Sequence, residues 1–226
     1  EDFDKKVRHI IKTIREKIKD YETLLTENPI FINRTKGVAV ISAADAVNYS
    51  LSGPLLRGSG INYDVRKANP YSGYEHFDFD VPLGKNGDAY DRYIIRLEEM
   101  RQSLRIAEQA IESMPDGPYR AHVPGVVLPP KEDVLYKMES LIFHFKIITD
   151  GFKAPVGSVY QAIESPKGEL GFYIAGDGSN RPRRVRVRPP SFVNLAALPK
   201  ISEGDLLSDM VCAIGSIDIV LGEVYR

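Results

Sequence analysis

The last twelve residues of the chain, 215–226, place ionisable side chains within a run of aliphatic ones. The aliphatic members are Ile217, Ile219, Val220, Leu221 and Val224. Chain ends are usually frayed and polar, whereas an aliphatic run needs burial to offset the entropy that it loses on ordering. We therefore expect the ionisable residues of this terminal segment, Asp218, Glu223 and Arg226, to lie in the interior or in a cleft.

The rest of the composition is that of a globular chain. Its 226 residues are 43% hydrophobic, which suffices for a sizeable core. A formal net charge of -1 provides no overall attraction to nucleic acid or to anionic lipid. The one cysteine excludes an intramolecular disulfide and fits a reducing compartment. No stretch approaches the roughly 20 apolar residues that span a bilayer, and the first residues show no charged-then-apolar pattern that resembles a signal peptide.

Two long helices are predicted from apolar periodicity. Between Phe3 and Leu25 apolar residues recur every three or four positions, which predicts a helix over 3–27. Its opposite face mixes basic with acidic residues, so we interpret it as a solvated or subunit-facing surface and not as a nucleic-acid site. A second helix starts after Asp88 as its cap and ends at the Pro and Gly residues of 115–118.

The remaining elements are shorter. A third helix is predicted over 131–148, a short one from the cap Ser191 to Leu198, and a last one over 202–214. The Gly- and Pro-rich stretch 53–87 indicates a long ordered loop. In the third helix the residues expected to face inward are Leu135, Met138, Leu141, Ile142 and Phe145.

A β-hairpin is predicted around the turn residues 176–180, with strands over 168–175 and 183–188. Alternation in the second strand puts Arg184, Arg186 and Arg188 on one face. Three interpretations stay open for this arginine face. It is a solvated strand surface, or it docks on an acidic subunit surface or near an anionic redox centre, where the guanidinium fork pairs with carboxylates, or it binds nucleic acid.

The sequence shows no pattern typical of a metal-binding site or of a catalytic nucleophile. Cys212 lies in an apolar run and is expected to be a buried small side chain without catalytic function. The four histidines are scattered and show no spacing typical of metal ligands, so we expect no metal site. Complete nucleotide-binding glycine fingerprints are also absent from the sequence, and we expect no flavin or nicotinamide on this chain.

The terminal segment resembles the C-terminus of the D-subunit family of NADH-quinone oxidoreductase, respiratory complex I. The one departure is Tyr225, where that family generally has Asp. Further resemblance runs in family order through residues 57–67, 70–74, 79–82, 90–92, 99–103, 168–173 and 188–195. The chain is thereby identified as a C-terminal portion of a member of this family, with an N-terminal region absent before Glu1.

The resemblance implies a fold and its history. The D-subunit family is similar to the large subunit of nickel-iron hydrogenases, so we expect one domain over 1–226, mainly α-helical with a small antiparallel β-sheet (α+β). Where the hydrogenases have cysteine, cysteine and histidine, this chain has Val220, Glu223 and Arg226. Because thiolates are the ligands that hold such a centre, the resemblance implies a cavity without the metal.

It also implies a function. In complex I that cavity is the site of quinone reduction, with quinone as substrate at a site shared with the small iron-sulfur subunit. Val220 and Leu221 would face the quinone, and Asp218, Glu223 and Arg226 would tune charge and relay protons during catalysis. Alternatively, these charges form a salt-bridge cluster that only anchors the chain end.

The same resemblance implies partners and a location. NAD, FMN and iron-sulfur clusters would be bound by other complex I subunits, and the homologue of the C subunit is a further expected neighbour. The chain would lie peripherally at the inner membrane on the cytoplasmic side, or on the matrix or stromal side in an organelle, and would help couple electron transfer to proton translocation. Two rivals stay open: the equivalent subunit of a ferredoxin- or F420-dependent membrane-bound oxidoreductase, and a purely structural scaffold.

Overall fold

The structure, a computed structural model, describes residues 2–118 and 120–225. Twelve α-helical segments within these residues are Asp2–Tyr21 (α1), Pro29–Thr35 (α2), Ala43–Asn48 (α3), Pro54–Gly58 (α4), Val65–Ala68 (α5), Ala89–Glu112 (α6), Lys131–Tyr136 (α7), Met138–Thr149 (α8), Pro190–Leu195 (α9), Leu198–Ser202 (α10), Leu207–Ile217 (α11) and Leu221–Val224 (α12). The strands are Gly157–Ser165 (β1), Gly168–Gly176 (β2) and Arg184–Arg188 (β3). They form one antiparallel sheet in the order β1-β2-β3, so the predicted mainly helical α+β class is confirmed.

The described residues fall into two compact units. Unit 1 takes them from 1–114, 162–171 and 188–226, and unit 2 from 115–161 and 172–187. Strands β1 and β2 each contribute one part to unit 1 and the other to unit 2. None of the helices in the described part of the chain is long and apolar enough to cross a membrane.

Unit 1 contains two hydrophobic cores. The first joins the segment before α4 to α10 and α11, and its fully buried members are Ala39, Ile41, Ala46, Leu51, Leu55, Leu56, Ala197, Ile201, Ala213 and Ile217. The second lies between α1 and α6, where Ile11 and Ile18 pack against Leu97 and Leu104. The terminal segment therefore begins inside the first core and continues out of it.

The two long predicted helices are confirmed. A π-helical turn, Glu22–Thr26, extends α1 to the predicted end, and Asp88 caps α6 by accepting a hydrogen bond from the amide of Asp91 at 2.8 Å. Residues Phe3, Ile10 and Leu24 of the α1 stripe are nevertheless exposed. The described part of the chain therefore leaves several apolar side chains of this stripe uncovered.

The predicted loop 53–87 contains two short helices, α4 and α5, and a 3-10 turn, Tyr74–His76. Its first residue, Gly53, has φ 69°, a conformation that favours glycine. A Cβ atom there would lie 2.6 Å from the Cα atom of Gly168. Two glycines are therefore needed for the backbone before α4 to pass the turn between β1 and β2.

The third helix differs from its prediction. Lys137 is extended, with φ -122° and ψ 121°, and divides the segment into α7 and α8. The side chains predicted to face inward, Leu135, Met138, Leu141, Ile142 and Phe145, are all exposed. None of the described residues of unit 2 is fully buried, so this small unit has too little volume around α8 to enclose an apolar stripe.

Several other boundaries also differ. Ser191 is not a cap: α9 begins at Pro190, ends at Leu195 and is followed by α10. The last predicted helix is displaced toward the C-terminus as α11. The hairpin of β2 and β3 is confirmed, whereas β1, α2 and α3 were not predicted because their apolar patterns are short.

Candidate functional site

The terminal segment leaves α11 through a left-handed residue. Asp218 ends the helix with φ 60° and ψ 53°, and its amide donates to the carbonyl oxygen of Ile214 at 3.3 Å. Asp and Asn tolerate this conformation better than other non-glycine residues. The turn directs the chain out of the first core, through extended Val220, into α12.

The carboxylate of Asp218 is held by two cations from other parts of unit 1. The ammonium group of Lys167, in the turn between β1 and β2, donates to Oδ2, and Nε of Arg96 lies 4.0 Å from the same oxygen. The Asp218 side chain is 43% exposed to solvent. Asp218 is therefore paired but still accessible, as is expected of a group at the edge of a cleft.

Two arginines of α6, the buried Arg92 and the partly buried Arg96, fix the end of α11. Arg92 donates to Ser216 Oγ at 2.5 Å and to the carbonyl oxygens of Ala39 and Gly87. Arg96 donates to the Ser216 carbonyl at 2.8 Å. Burial, together with the charge of Arg96, lowers the pKa of Arg92 to about 10. Cations at a helix C-terminus are stabilised by its partial negative charge, and here they set the position of Asp218.

Glu223 is held by Ser191 of α9 within the described part of the chain. Its Oε2 accepts hydrogen bonds from the Ser191 hydroxyl at 2.5 Å and from the Ser191 amide at 3.2 Å. The amide of Val220 in turn donates to Ser191 Oγ at 3.3 Å. Ser191 thus connects Val220, the residue before α12, with Glu223 inside α12. The hydroxyl that was predicted to cap a helix is used for these contacts instead.

The expected burial of the terminal segment is only partly observed. Ile217 is buried, but Val220 and Leu221 are 43% and 64% exposed, so the expectation that they need burial is wrong for the described chain. Within the described residues no hydrogen bond or ion pair connects Asp218 with Glu223. Arg226, the third predicted charge, lies outside the described residues.

A buried ionic cluster in unit 1 was not predicted. Arg57, in α4, donates through Nε to Glu99 at 2.8 Å and through Nη1 to Glu164 at 2.9 Å. Arg66 forms two hydrogen bonds with Asp64, at 3.0 and 2.6 Å. We call these five residues the Arg57 cluster. An arginine within the apolar stretch 54–58 was the sequence signal that could have revealed it, because such a charge needs buried partners.

The electrostatics of the cluster differ from one carboxylate to the next. Burial raises the pKa of Glu164, and Arg57 opposes this effect only in part. Burial would also raise the pKa of Asp64, but the hydrogen bonds and charge of Arg66 outweigh it and the pKa is lowered. Burial and the carboxylate of Glu169 raise the pKa of Tyr63 to about 12.

Every member of the Arg57 cluster except Asp64 lines one cavity of unit 1 together with Asp218, and the cavity has a volume of about 590 Å³. Its charged lining residues are Arg57, Arg66, Arg96, Glu99, Glu164 and Asp218. Apolar side chains of α1 and α6 form much of the remaining wall. On α6 the residues Arg92, Arg96, Glu99 and Ser103 follow one another at steps of three and four, so a polar stripe beside the apolar one was a second signal for this site.

The arginine face of β3 is not uniform. Arg184 and Arg186, in unit 2, are exposed, and Val185 between them is exposed as well. Arg188, in unit 1, donates to the carbonyl oxygens of Glu169 and Ser50 at 2.8 and 3.0 Å. Only the first two are therefore available to a partner surface.

Two other kinds of functional site, a reactive thiol and a metal site, have little support in the described residues. Cys212 is half-buried, its thiol donates to the carbonyl oxygen of Arg34 at 3.4 Å, and burial raises its pKa, which disfavours the reactive thiolate. No group of three or more His, Cys, Asp or Glu residues that could hold a metal ion occurs in 2–118 and 120–225.

The comparison with protein families decides the affiliation. A sequence model of the respiratory-chain NADH dehydrogenase 49 kDa subunit matches residues 1–226. The chain belongs to this family. The resemblance drawn from the terminal segment and from residues 57–67 is thereby confirmed.

Curated relatives carry the corresponding name. The chain is 53% identical over 224 residues to the NADH-quinone oxidoreductase D subunit of Geobacter metallireducens, covering 99% of this chain and 57% of that relative. It is 54% identical to the second D subunit of Koribacter versatilis, covering 99% and 56%, and 52% identical to the D subunit of Methylacidiphilum infernorum, covering 99% and 54%. The chain thus spans little more than half the length of these family members.

Proposed function

We propose that this chain acts as a D subunit of an NADH-quinone oxidoreductase and that its terminal segment forms part of the wall of the quinone-reduction cavity. The proposal is supported by membership of the 49 kDa subunit family and by relatives that carry this name. We further infer a single hydrogenase large-subunit-like domain over 1–226, in which β1 and β2 connect the two compact units.

One observation supports this assignment of the site. The carboxylates of the terminal segment are held by hydrogen bonds, whereas the aliphatic side chains of Val220 and Leu221 are exposed. Asp218 and Glu223 are fixed by Lys167 and Ser191, whereas Val220 and Leu221 stay exposed. A quinone has an apolar ring and tail and polar carbonyl oxygens. A pocket for it needs apolar walls with a few oriented polar groups, and the terminal segment supplies both kinds.

The chemistry of quinone reduction requires protons near the site. A quinone takes up two electrons and two protons to become a quinol, and intermediates with unmatched charge are costly in an apolar cavity. In the proposal, Asp218 supplies or relays protons, with Lys167 and Arg96 as its counter-charges, and Glu223 does so beside Ser191. Arg226 is proposed to add a further positive charge.

The electrons are proposed to come from partner subunits. Iron-sulfur clusters require several cysteine thiolates, and this chain has one cysteine. We therefore assign the clusters, together with FMN and NAD, to other subunits of the oxidoreductase, with the small iron-sulfur subunit and the homologue of the C subunit as neighbours. The exposed Arg184 and Arg186 are proposed to dock on such a neighbour. The assembled complex would place the chain peripherally at the inner membrane, on the cytoplasmic side.

Conservative changes in the terminal segment test the proposal in the assembled enzyme. We expect Asp218→Asn or Glu223→Gln to lower quinone-reductase turnover by about a hundredfold or more, the lower range for loss of a general acid. Electron transfer from the donor to artificial acceptors should persist, because such acceptors take electrons before the quinone site. The exposed Asp20→Asn is the control for a change of charge.

Enlarging the aliphatic wall gives an independent test. Val220→Met should change inhibitor sensitivity or quinone affinity while the amount of assembled complex stays constant. Val211→Met, at an exposed valine of α11, is the matched control. If every activity of the Asp218 and Glu223 variants declines only in proportion to assembly, the segment is an anchor and the chain is a scaffold at this site.

A further inference from the structure

The Arg57 cluster contains more negative than positive charge. It joins three carboxylates, Asp64, Glu99 and Glu164, to two guanidinium groups, Arg57 and Arg66. The side chains of Asp64, Arg57 and Glu164 are only 1%, 2% and 5% exposed. A surplus charge is expensive so far from water, so the cluster favours binding of one proton.

The hydrogen bonds indicate where that proton resides. Both oxygens of Asp64 are taken by Arg66, whose backbone amide adds a third hydrogen bond at 2.9 Å. Glu99 receives two nitrogens of Arg57, at 2.8 and 2.7 Å. Glu164 receives one guanidinium nitrogen among the described residues, Nη1 of Arg57, and that nitrogen also donates to the carbonyl oxygen of Tyr63 at 3.0 Å. Glu164 is therefore the carboxylate with the least compensation.

The surroundings of Glu164 act on its pKa in both directions. Its other oxygen accepts a hydrogen bond from the amide of Val65 at 3.2 Å, which favours the charged carboxylate, and its own amide donates to the hydroxyl of Tyr71 at 2.9 Å. Burial raises its pKa, with a further contribution from the charge of Asp64. The charged and titratable groups that face it from the packed elements are Arg57, Tyr63, Asp64, Arg66 and Tyr71.

Glu164 also shares a cavity with Asp218, and both lie in unit 1. Charges of alternating sign lead from one carboxylate to the other. Asp218 lies 4.0 Å from Arg96, Arg96 is electrostatically coupled to Glu99, and Glu99 and Glu164 both bind Arg57. The cavity, of about 590 Å³, has room for several water molecules that bridge these charged groups along its partly apolar wall.

We propose that Glu164 is the proton-binding residue of this cavity and that it supplies protons to Asp218 in the terminal segment. In the step, the O–H bond of Glu164 breaks, the proton passes through cavity water and an O–H bond forms on the Asp218 carboxylate. No electrons move, and Arg57 compensates the carboxylate that remains until solvent returns a proton. The destination of the proton rests on the proposed function, whereas the site of proton binding does not.

The site of proton binding is tested on the chain itself by NMR. With carbon-13 in the glutamate side chains and sequential assignments, the carboxyl carbon of Glu164 should titrate at a higher pH than that of the exposed Glu203. The variant Glu99→Gln equalises carboxylates and guanidinium groups, so it should move the Glu164 inflection to lower pH. Titration of Glu164 at or below the pH of Glu203, or no shift in Glu99→Gln, would overturn the proposal.

The direction of proton supply is tested in the assembled oxidoreductase. Glu164→Gln keeps the shape of the side chain but cannot exchange a proton, so quinone-reductase turnover should fall by about tenfold or more. The decline of wild-type turnover with rising pH should flatten in this variant, and electron transfer to artificial acceptors should persist. Glu203→Gln is the control.

The outcomes separate this proposal from the function on which it rests. An unchanged rate and pH profile in Glu164→Gln would overturn the supply of protons to Asp218. Inactive Asp218→Asn together with active Glu164→Gln would support the quinone site and reject the relay. Active Asp218→Asn would reject the proposed site, while the NMR titration would still decide whether Glu164 binds the proton. If Glu164→Gln fails to assemble, the titrations of wild type and Glu99→Gln remain decisive.

Discussion

At the scale of single residues, the two fully buried arginines of the described chain, Arg57 and Arg92, have very different hydrogen-bond partners. Arg57 is enclosed by carboxylates, whereas Arg92 is 0% exposed and its two terminal nitrogens donate to backbone carbonyls and a hydroxyl, while its Nε has no hydrogen-bond partner among the described residues. Removing one member of a buried charge pair leaves the other uncompensated, which is more costly than the pair is stabilising. Loss of one member of the Arg57 cluster should therefore be strongly destabilising, even though the intact set of ion pairs contributes only modestly to stability.

Replacing Arg57 tests this expectation. Arg57→Gln should lower the free energy of unfolding by about 3–5 kcal/mol near pH 7, because Glu99 and Glu164 lose their cation. Arg101→Gln is the control, since Arg101 pairs with Glu22 and Glu98 but is 40% exposed, and it should cost about 0–1 kcal/mol. Denaturant unfolding measures both values. Equal losses in the two variants would show that the cluster is no more stabilising than a surface ion pair.

Acid should reduce the effect of Arg57→Gln. Without their cation, the glutamates lower the surplus charge by binding protons, so the loss of stability should be smaller at about pH 5 than at about pH 7. The lowered pKa of Asp64 acts in the opposite sense in the wild type. Its stabilisation is complete above the carboxyl pKa of the unfolded chain and is lost as the pH falls through the lowered folded value.

Sequence patterns predicted single residues unevenly. The cap Asp88 was found because a cap is a local signal between neighbouring residues. The partners of Ser191 and Asp218 come from segments at least 29 positions away, and no local pattern specifies such pairs. The charges of the terminal segment could be named in advance, but the lysine, arginine and serine that hold them could not.

At the scale of elements, the most restrictive contact is the passage of the backbone at Gly53 past Gly168. Gly53→Ala would place its Cβ atom 2.6 Å from backbone atoms in a conformation with φ 69° and ψ -150°, so α4 would have to move. Gly37→Ala is matched in φ, at 71°, and meets no atom within 4 Å. We expect a loss of about 1–2 kcal/mol for Gly37→Ala from backbone strain alone and a clearly larger loss for Gly53→Ala.

Thermal unfolding and the Arg57 cluster provide the measurements for this pair. Because α4 contains Arg57, a displaced helix should also change the NMR titration of Glu164 in Gly53→Ala and leave it unaltered in Gly37→Ala. Equal destabilisation of the two variants would mean that the close approach of the two glycines is relaxed in solution.

Elements were predicted well where periodicity is long and poorly where it is short. Helices α1 and α6 have many apolar turns, and both were found near their observed ends. The predicted third helix had a periodic pattern but no core to face, because unit 2 has no fully buried residue in its described part. Periodicity specifies which residues share a face, but only tertiary packing determines whether that face is covered.

At the scale of the whole molecule, much apolar surface of the described chain is exposed, on α1, on α8 and in the terminal segment. Exposed apolar side chains in this number are typical of surfaces that bind partners. The chain spans little more than half the length of its relatives, and the proposed function places it in a complex of many subunits. Family affiliation was predictable from motifs, whereas the surfaces that meet partners were not, because apolar periodicity alone does not distinguish a core from an interface.

The exposed arginines of β3 are the charged candidates for such a partner surface. Arg186→Glu reverses one charge between exposed positions of a strand and touches no buried contact in the described chain, so the isolated protein should keep its unfolding temperature. Assembly with the other subunits, measured by pull-down and by the salt concentration that releases them, should weaken because the mutated strand would repel an acidic surface. Lys200→Glu, on an exposed lysine of α10, controls for charge reversal elsewhere. If Arg186→Glu assembles as well as wild type at every salt concentration, the arginine face is a solvated strand surface. The exposed apolar side chains of α8 would then be the remaining candidate surface of unit 2 for a partner.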